Sequence, residues 1–314
     1  MDKIIEIENL VKRYKKSDKN AVDSVSFDVF KGEFFALLGP NGAGKTTTIS
    51  ILTTTLSATS GSVLVCGLNV GKQAAEVRKR VGIIFQNPSL DLNLTAEENI
   101  RFHVVLYGVF SFAPIYSMMD AEYQKRVSGL AEIIGLEKDL FKPVRSFSGG
   151  MKRKLEIIRS LMHDPELLFL DEPTVGLDPV SRRNLWDYLE DVRKKRNLTI
   201  FLTTHYLDEA EGVDRVCIIN GGKVVFLDSP DLLRERLSKR KHIRLDSDDR
   251  AGLLKELESK GVSFKVGDYV WVGFGSSDEA HRIIKNIDTP LNLLDIHAPD
   301  LEEAYVEVVG EGSN

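Results

Sequence analysis

The sequence predicts an α/β protein built on a mostly parallel sheet, with a smaller α+β unit at its C-terminal end. Three observations carry that expectation. Short apolar runs alternate with helical stretches from residue 34 to residue 227, the pattern of strand–helix–strand units. A glycine-rich segment at residues 39–46 lies between an apolar run and a helix start. Near residue 235 the order of the elements changes.

Taken in chain order, the first stretch alternates apolar and polar residues: Ile5, Ile7 and Leu10, then Val22, Val25, Phe27 and Val29. That period reads as antiparallel strands joined by a polar turn over Lys15–Asn20. Phe34–Leu38 is a short continuous apolar run, which suits a buried parallel strand, and Thr47–Leu52 follows the glycine-rich segment as a helix start. Val63–Val65 and Val81–Phe85 read as further strands. Residues 95–162 read as helical, and Thr95 with Glu98 forms a capping-box pattern for a helix beginning near Ala96. Strand Leu167–Leu170, a helix over Val180–Lys195, strand Thr199–Thr203 and helix Leu207–Glu211 come next. Arg215–Asn220 and Lys223–Leu227 flank Gly221-Gly222, a two-residue hairpin signal. Beyond residue 235 the expected order is strand His242–Leu245, helix Arg250–Lys260, strands Val262–Val266 and Tyr269–Phe274, helix Asp278–Ile287 and strand Leu291–His297. This is the βαββαβ order of a ferredoxin-like unit. A last helix is expected over Leu301–Val309 from an Asp300 cap.

Composition excludes several classes. The 314 residues suffice for one large domain and one small one, and the apolar share of 42% is that of a globular protein. No apolar run approaches the roughly 18–20 residues that span a bilayer. Met1-Asp2-Lys3 begins no secretory signal, since no apolar segment follows. Cys66 and Cys217 make no disulfide framework and fit a reducing cytoplasm. A formal net charge of −5 gives no bulk reason to bind nucleic acid. The basic cluster Arg234, Arg236, Lys239, Arg240 and Lys241 reads as a solvated linker or helix face.

The segment Gly39-Pro40-Asn41-Gly42-Ala43-Gly44-Lys45-Thr46 fits the phosphate-loop pattern G-x-x-x-x-G-K-[ST] at every fixed position. Average composition produces that match by accident in roughly one chain in a hundred of this length. Here the preceding strand and following helix supply what the chemistry needs, because backbone N–H groups and the helix N-terminus face an anion. Lys45 adds a point charge near the β- and γ-phosphates, and the Thr46 hydroxyl is a Mg²⁺ ligand. Leu167–Leu170 ends in Asp171-Glu172, where phosphate-loop proteins place a second Mg²⁺ contact and a group that polarises water. Ser148 can cap a helix running through Arg153, Leu155 and Ile158, with Gly149 and Gly150 leaving N–H groups open. Two readings are open for that segment: an ordinary helix N-terminus after a loop, or a second phosphate-binding helix end. One chain cannot easily bring both helix ends to one phosphate, so the second reading implies a second copy.

With these motifs in hand, residues 3–230 strongly resemble the ATP-binding cassette (ABC) family. Gln86 in Ile84-Phe85-Gln86-Asn87 resembles its Q-loop, and Ser148-Gly149-Gly150 its signature, normally L-S-G-G-Q. Asp171-Glu172 resembles the Walker B end, Gly176-Leu177-Asp178 the D-loop, and His205 in Thr203-Thr204-His205 the switch histidine. Tyr14 sits where the family stacks an aromatic on adenine. Read alone, Tyr14 also fits a core aromatic and His205 a histidine in a capped turn. The signature departs from the pattern at Phe147 for Leu and Met151 for Gln, while the Ser-Gly-Gly is intact. Ser148–Arg153 resembles the drug-resistance and polysaccharide-export type, including daunorubicin-resistance ATPases. Pro299–Tyr305 is similar to the tail of those chains.

The resemblance implies a phosphate-loop NTPase core of ABC type over residues 1–235: a mixed sheet, an antiparallel β subdomain and a helical subdomain at about 95–162. Residues 236–314 then form the small α+β domain. It also implies a cytoplasmic ATPase subunit on the inner face of the membrane, with ATP and Mg²⁺ as cofactors. Its partners would be a second copy or a related ATPase and an integral membrane permease, with no nucleic acid. Gly39–Thr47 and Tyr14 would hold nucleotide, Thr46, Asp171 and Gln86 the metal, and Ser148–Gly150 the other copy's ATP. Glu172 would be general base, His205 a γ-phosphate contact, and Asp178 a link across the dimer. The expected activity is ATP hydrolysis driving export of a drug, lipid or polysaccharide. An importer ATPase is the nearest alternative. A cassette acting on nucleic acid or ribosomes is the other, disfavoured by the single cassette and the acidic balance.

Overall fold

Alternating burial along the first two strands places their apolar faces in one core. In β1 (Lys3–Arg13), Ile5, Ile7 and Leu10 are buried; in β2 (Asn20–Phe30), Val22, Val25, Phe27 and Val29 are. The computed structural model describes residues 2–15, 17–86, 89–235, 241–297 and 301–311. Asn87, Pro299, the Asp300 cap and the basic residues Arg236, Lys239 and Arg240 lie outside the described residues. The chain divides into two units, Met1–Leu227 and Asp228–Gly312.

The first unit contains two sheets. After β3 (Phe34–Leu38) and α1 (Lys45–Leu52), strands β4 (Ser60–Val65) and β5 (Leu68–Asn69) join the first pair in an antiparallel sheet of order β2-β1-β4-β5. Helix α2 (Ala74–Arg80) leads to β6 (Val81–Ile84). Then come α3 (Ala96–Leu106), α4 (Ala121–Ile134), α5 (Gly149–Leu161), β7 (Leu167–Asp171), α6 (Pro179–Arg196), β8 (Thr199–Thr204), β9 (Arg215–Asn220) and β10 (Lys223–Asp228). The second sheet has the order β10-β9-β3-β8-β7-β6 and is parallel through its five strands from β9 to β6. Every residue of β3, β7 and β8 is buried, as strands covered on both faces require. Phe35 packs on Phe27 and Phe201 at ring-centroid distances of 5.3 and 5.4 Å, which joins the two sheets through one core. The hairpin at Gly221-Gly222 forms as expected, with φ of +55° and +82°, the paired positive values of a type I′ turn.

The stretch 95–162 is three helices separated by loops and 3₁₀ turns. The Thr95–Glu98 capping box forms, with the Glu98 amide donating to Thr95 Oγ1 at 3.2 Å and the Thr95 amide to Glu98 Oε2 at 2.8 Å. The helix expected over Leu207–Glu211 is instead a 3₁₀ turn, Leu207–Ala210, too short to sustain α-type bonding. β5 and α2 escape sequence reading because two residues, and a helix burying only Val77, show no periodicity. Among the described residues no helix is long and apolar enough to cross a membrane.

The second unit begins with α7 (Pro230–Glu235). It continues with β11 (His242–Asp246), α8 (Arg250–Ser259), β12 (Phe264–Val266), β13 (Val270–Gly273), α9 (Ser277–Lys285), β14 (Leu293–His297) and α10 (Leu301–Glu311). Its sheet order is β12-β13-β11-β14 with every pair antiparallel, the split arrangement of a βαββαβ chain. Ile243, Leu245, Val270 and Val272 meet Leu253, Leu257 and Ala280 of the two helices in a separate core.

Candidate functional site

The phosphate loop leaves the C-terminal end of β3 and runs directly into α1. Gly44 is the N-cap of α1, at φ +110° and with no side-chain cap, so the first N–H groups of the helix stay open to an anion. Close packing demands glycine here: a Cβ on Gly44 would lie 2.5 Å from Ala21 O, and one on Gly39 2.3 Å from Ile219 O. The loop is braced by the Gly221-Gly222 turn, whose Gly222 amide donates to Ala43 O at 3.0 Å. Ala43 is buried, while Asn41, Gly42 and Thr46 are exposed. Lys45 Nζ donates to Gly39 O at 2.7 Å and Pro40 O at 3.2 Å. Burial pulls the Lys45 ammonium below the usual lysine range, and Glu172 and Asp171 hold it up. Tyr14 is 45% exposed, so it is no core aromatic; its phenol lies 3.2 Å from Thr47 Oγ1.

Gly44→Ala places a Cβ against Ala21 O in a backbone conformation that L-residues rarely adopt, a strain of about 1–3 kcal/mol. The expected result is ATP affinity lowered by about 5–150-fold, the range that strain converts to. Titration with a fluorescent ATP analogue measures it; unchanged affinity would remove the loop's close packing from the explanation of the site.

Gln86, Asp171-Glu172 and His205 stand at the C-terminal ends of β6, β7 and β8. These three strands are neighbours, and β3 lies beside β8. One edge of four adjacent parallel strands therefore carries all four segments, the place where α/β sheets bind ligands. Asp171 is 6% exposed and accepts a hydrogen bond from Thr203 Oγ1 at 2.5 Å across the β7–β8 register. Burial pushes its carboxyl up, the Thr203 hydroxyl pulls it down, and the Glu172 charge adds to the rise. Glu172 sits in the left-handed region at φ +47°, a strained conformation for a residue with a side chain. Its amide donates to Thr203 O at 3.0 Å, which holds the turn. Gln86 Nε2 donates to Glu172 Oε2 at 3.1 Å, and His205 Nδ1 lies 3.3 Å from Glu172 Oε1. The His205 ring packs on Tyr206 at 4.1 Å between centroids, and Tyr206 is covered in turn by the Arg182 guanidinium at 4.6 Å.

The oxygen donors Asp171, Thr46 and Gln86 fit a small hard cation held by one carboxylate and substrate phosphates. Among the described residues no group of three or more His, Cys, Asp or Glu side chains forms a competing metal cage.

Ser148 caps α5, with Oγ accepting from the Met151 amide at 3.2 Å, and Ser148 and Gly149 are exposed. A Cβ on Gly150 would lie 3.0 Å from Ser181 Oγ. Asp178 caps α6, accepting from the amides of Val180 and Ser181 at 3.0 and 2.9 Å. Its hydrogen bond from the Ser181 hydroxyl, with those amides, holds the carboxyl below the usual range. The neighbours of Gly149 and Gly150 are Gly176, Leu177 and Ser181, none of them from the phosphate loop. Sequence reading missed Thr203 as the partner of Asp171. Its one signal was the neighbouring Thr203-Thr204-His205 motif. It also passed over the buried charges Arg153 and Glu156, which are 5% and 1% exposed.

Comparison with known proteins agrees with this geometry. The profile of the ABC transporter family matches residues 22–175. The chain is 39% identical over 228 residues to a Nod factor export ATP-binding protein I of Ralstonia nicotianae, covering 72% of this chain and 67% of that one. It is 38% identical over 235 residues to the linearmycin resistance ATP-binding protein LnrL of Bacillus subtilis, covering 74% and 72%. Similarity to the bacitracin transport ATP-binding protein BcrA of Bacillus licheniformis runs through 100% of this chain and 99% of that one, at 32% identity. Among solved structures, an ATP-binding subunit of an ABC transporter superposes with a TM-score of 0.64 at 31% identity, covering 74% and 93%. The cbiO1 protein of Clostridium perfringens superposes at 0.66 and 26% identity, covering 82% and 100%.

Proposed function

We propose, from the premise that this chain belongs to the ABC transporter family as its ATP-binding, ATP-hydrolysing subunit, that two copies close head to tail on two ATP molecules and drive export through a separate permease. The observation that carries the reading is the division of the site. The phosphate loop, Asp171, Glu172, Gln86 and His205 share one sheet edge, while the second phosphate-binding helix end, Ser148–Gly150, is flanked by Gly176, Leu177 and Ser181. In the closed pair each ATP lies between the loop of one copy and Ser148–Gly150 of the other.

The residues act as follows. Tyr14 stacks on adenine, and Lys45 with the loop Gly39–Thr47 holds the phosphates. Thr46 and Asp171 would hold Mg²⁺ with Gln86 beside it, and the ion would supply charge neutralisation at the phosphate oxygens. Glu172 accepts the proton of the attacking water, as its contacts to Gln86 and His205 orient it. His205 contacts the γ-phosphate, and Asp178 reaches the facing copy. Closure follows ATP binding because only the closed state has contacts to both faces of the nucleotide; hydrolysis removes the γ-phosphate contacts and reopens the pair.

The export direction is supported by the similarity to proteins named for Nod factor export and for linearmycin resistance. The chain then works on the cytoplasmic face of the membrane, attached through its permease, and exports a drug, lipid or polysaccharide. The test is ATP turnover measured against protein concentration. Specific activity is expected to rise with concentration as dimers form, and EDTA is expected to stop turnover until Mg²⁺ is restored. Specific activity independent of dilution, in a protein that stays monomeric with ATP, would refute the shared site.

A further inference from the structure

The buried face of α5 carries three charges that the steps above do not use. Arg153, Glu156 and Arg159 recur every third residue, a spacing usually found on a solvated helix face. Here Arg153 and Glu156 are buried and Arg159 is partly buried. Arg153 Nη1 donates to Glu156 Oε2 at 2.9 Å, and Arg159 Nη2 lies 3.9 Å from Glu156 Oε1. Each member also reaches backbone outside the helix. Glu156 Oε1 accepts from the Ser89 amide at 3.0 Å, and Arg159 donates to Ser89 O at 2.7 Å and Ser89 Oγ at 2.6 Å. Arg153 donates to Phe85 O at 2.8 Å, Pro173 O at 2.7 Å and Glu172 O at 3.3 Å.

Phe85 and Ser89 bracket Gln86, and Glu172–Pro173 is the segment of the proposed base. The helix that holds them both begins at Ser148. We infer that Arg153, Glu156 and Arg159 are positioning residues that set Gln86 and Glu172 with respect to the Ser148–Gly150 helix end. Buried ion pairs seldom stabilise more than apolar side chains of the same volume. Apolar side chains, however, have no donors for the carbonyls of Phe85, Glu172, Pro173 and Ser89. The planar five-donor fork of arginine serves several acceptors at once, so it fixes three segments in one geometry. The inference rests on the reading of Gln86 and Glu172 as working groups.

The variant Arg153→Met/Glu156→Leu/Arg159→Met removes the charges together, so no charge is left unpaired, and is expected to fold with a lowered melting temperature, because the Phe85, Glu172 and Pro173 carbonyls lose their donors. Its kcat is expected to fall about tenfold or more, since small misplacement of reacting groups is costly, while its ATP affinity stays within about threefold. In a Gln86→Ala/Glu172→Gln background the same triple change is expected to cost less than about threefold further, because the side chains it displaces are then already absent or without their basic oxygen. Unchanged kcat, or equal losses in both backgrounds, overturns the inference. If the triple variant does not fold, Arg153→Lys, which keeps the charge but loses the fork, decides through the same cycle. Failure of the underlying reading looks different: in that case Glu172→Gln itself retains turnover.

Discussion

Glu172→Gln is expected to lower ATP turnover by about 10²–10⁴-fold, the contribution of a positioned general base, while ATP still binds. The substitution keeps the shape of the side chain and an oxygen acceptor but removes the basic carboxylate. The left-handed backbone at residue 172 is equally strained for both residues, and the hydrogen bond of its amide to Thr203 O is unaffected. Stability therefore stays near that of the parent, and the loss falls on kcat. Phosphate release and ATP binding measured on one preparation separate the two effects. Turnover near the parental rate would remove Glu172 from the role and leave Gln86 and His205 gathered around a structural carboxylate.

Ser148→Arg is expected to abolish ATP-driven dimerisation. In the proposed pair the exposed end of α5 approaches a phosphate of the facing copy, and a long side chain there blocks that approach. The hydroxyl that accepts from the Met151 amide is lost as well, which costs about 1 kcal/mol of helix capping and lowers the melting temperature by about 2–4 °C. That cost is small, so the monomer stays folded and binds ATP at its own phosphate loop. The measurement is size-exclusion chromatography with ATP in the Glu172→Gln background, where the nucleotide persists. A dimer that survives Ser148→Arg there would sink the shared-site arrangement.

Much of the fold was legible because local chemistry and tertiary structure agree. Apolar Phe34–Leu38 suited a strand covered on both faces, the Thr95–Glu98 pair announced a helix start, and Gly221-Gly222 announced a hairpin. What escaped had little local signal. β5 is two residues long, α2 buries one side chain, and the 3₁₀ turn at Leu207–Ala210 carries the same residues a helix start would. Arg153 and Glu156 resembled a solvated i, i+3 pair, and only their burial against Phe85, Ser89 and Pro173 reveals what they hold.

By itself the sequence determined the phosphate-binding element, because its glycines, its lysine and its helix start act through contiguous backbone. It also determined which side chains were available for the chemistry. Only the tertiary structure decided which of them meet. Gln86, Glu172 and His205 come together because β6, β7 and β8 are neighbours in a parallel sheet, and parallel neighbours deliver their C-terminal ends to one edge. Strand order is set by how whole faces pack and pair, which no single apolar run encodes. Packing likewise sets Ser148–Gly150, on a helix outside that sheet, against Gly176, Leu177 and Ser181.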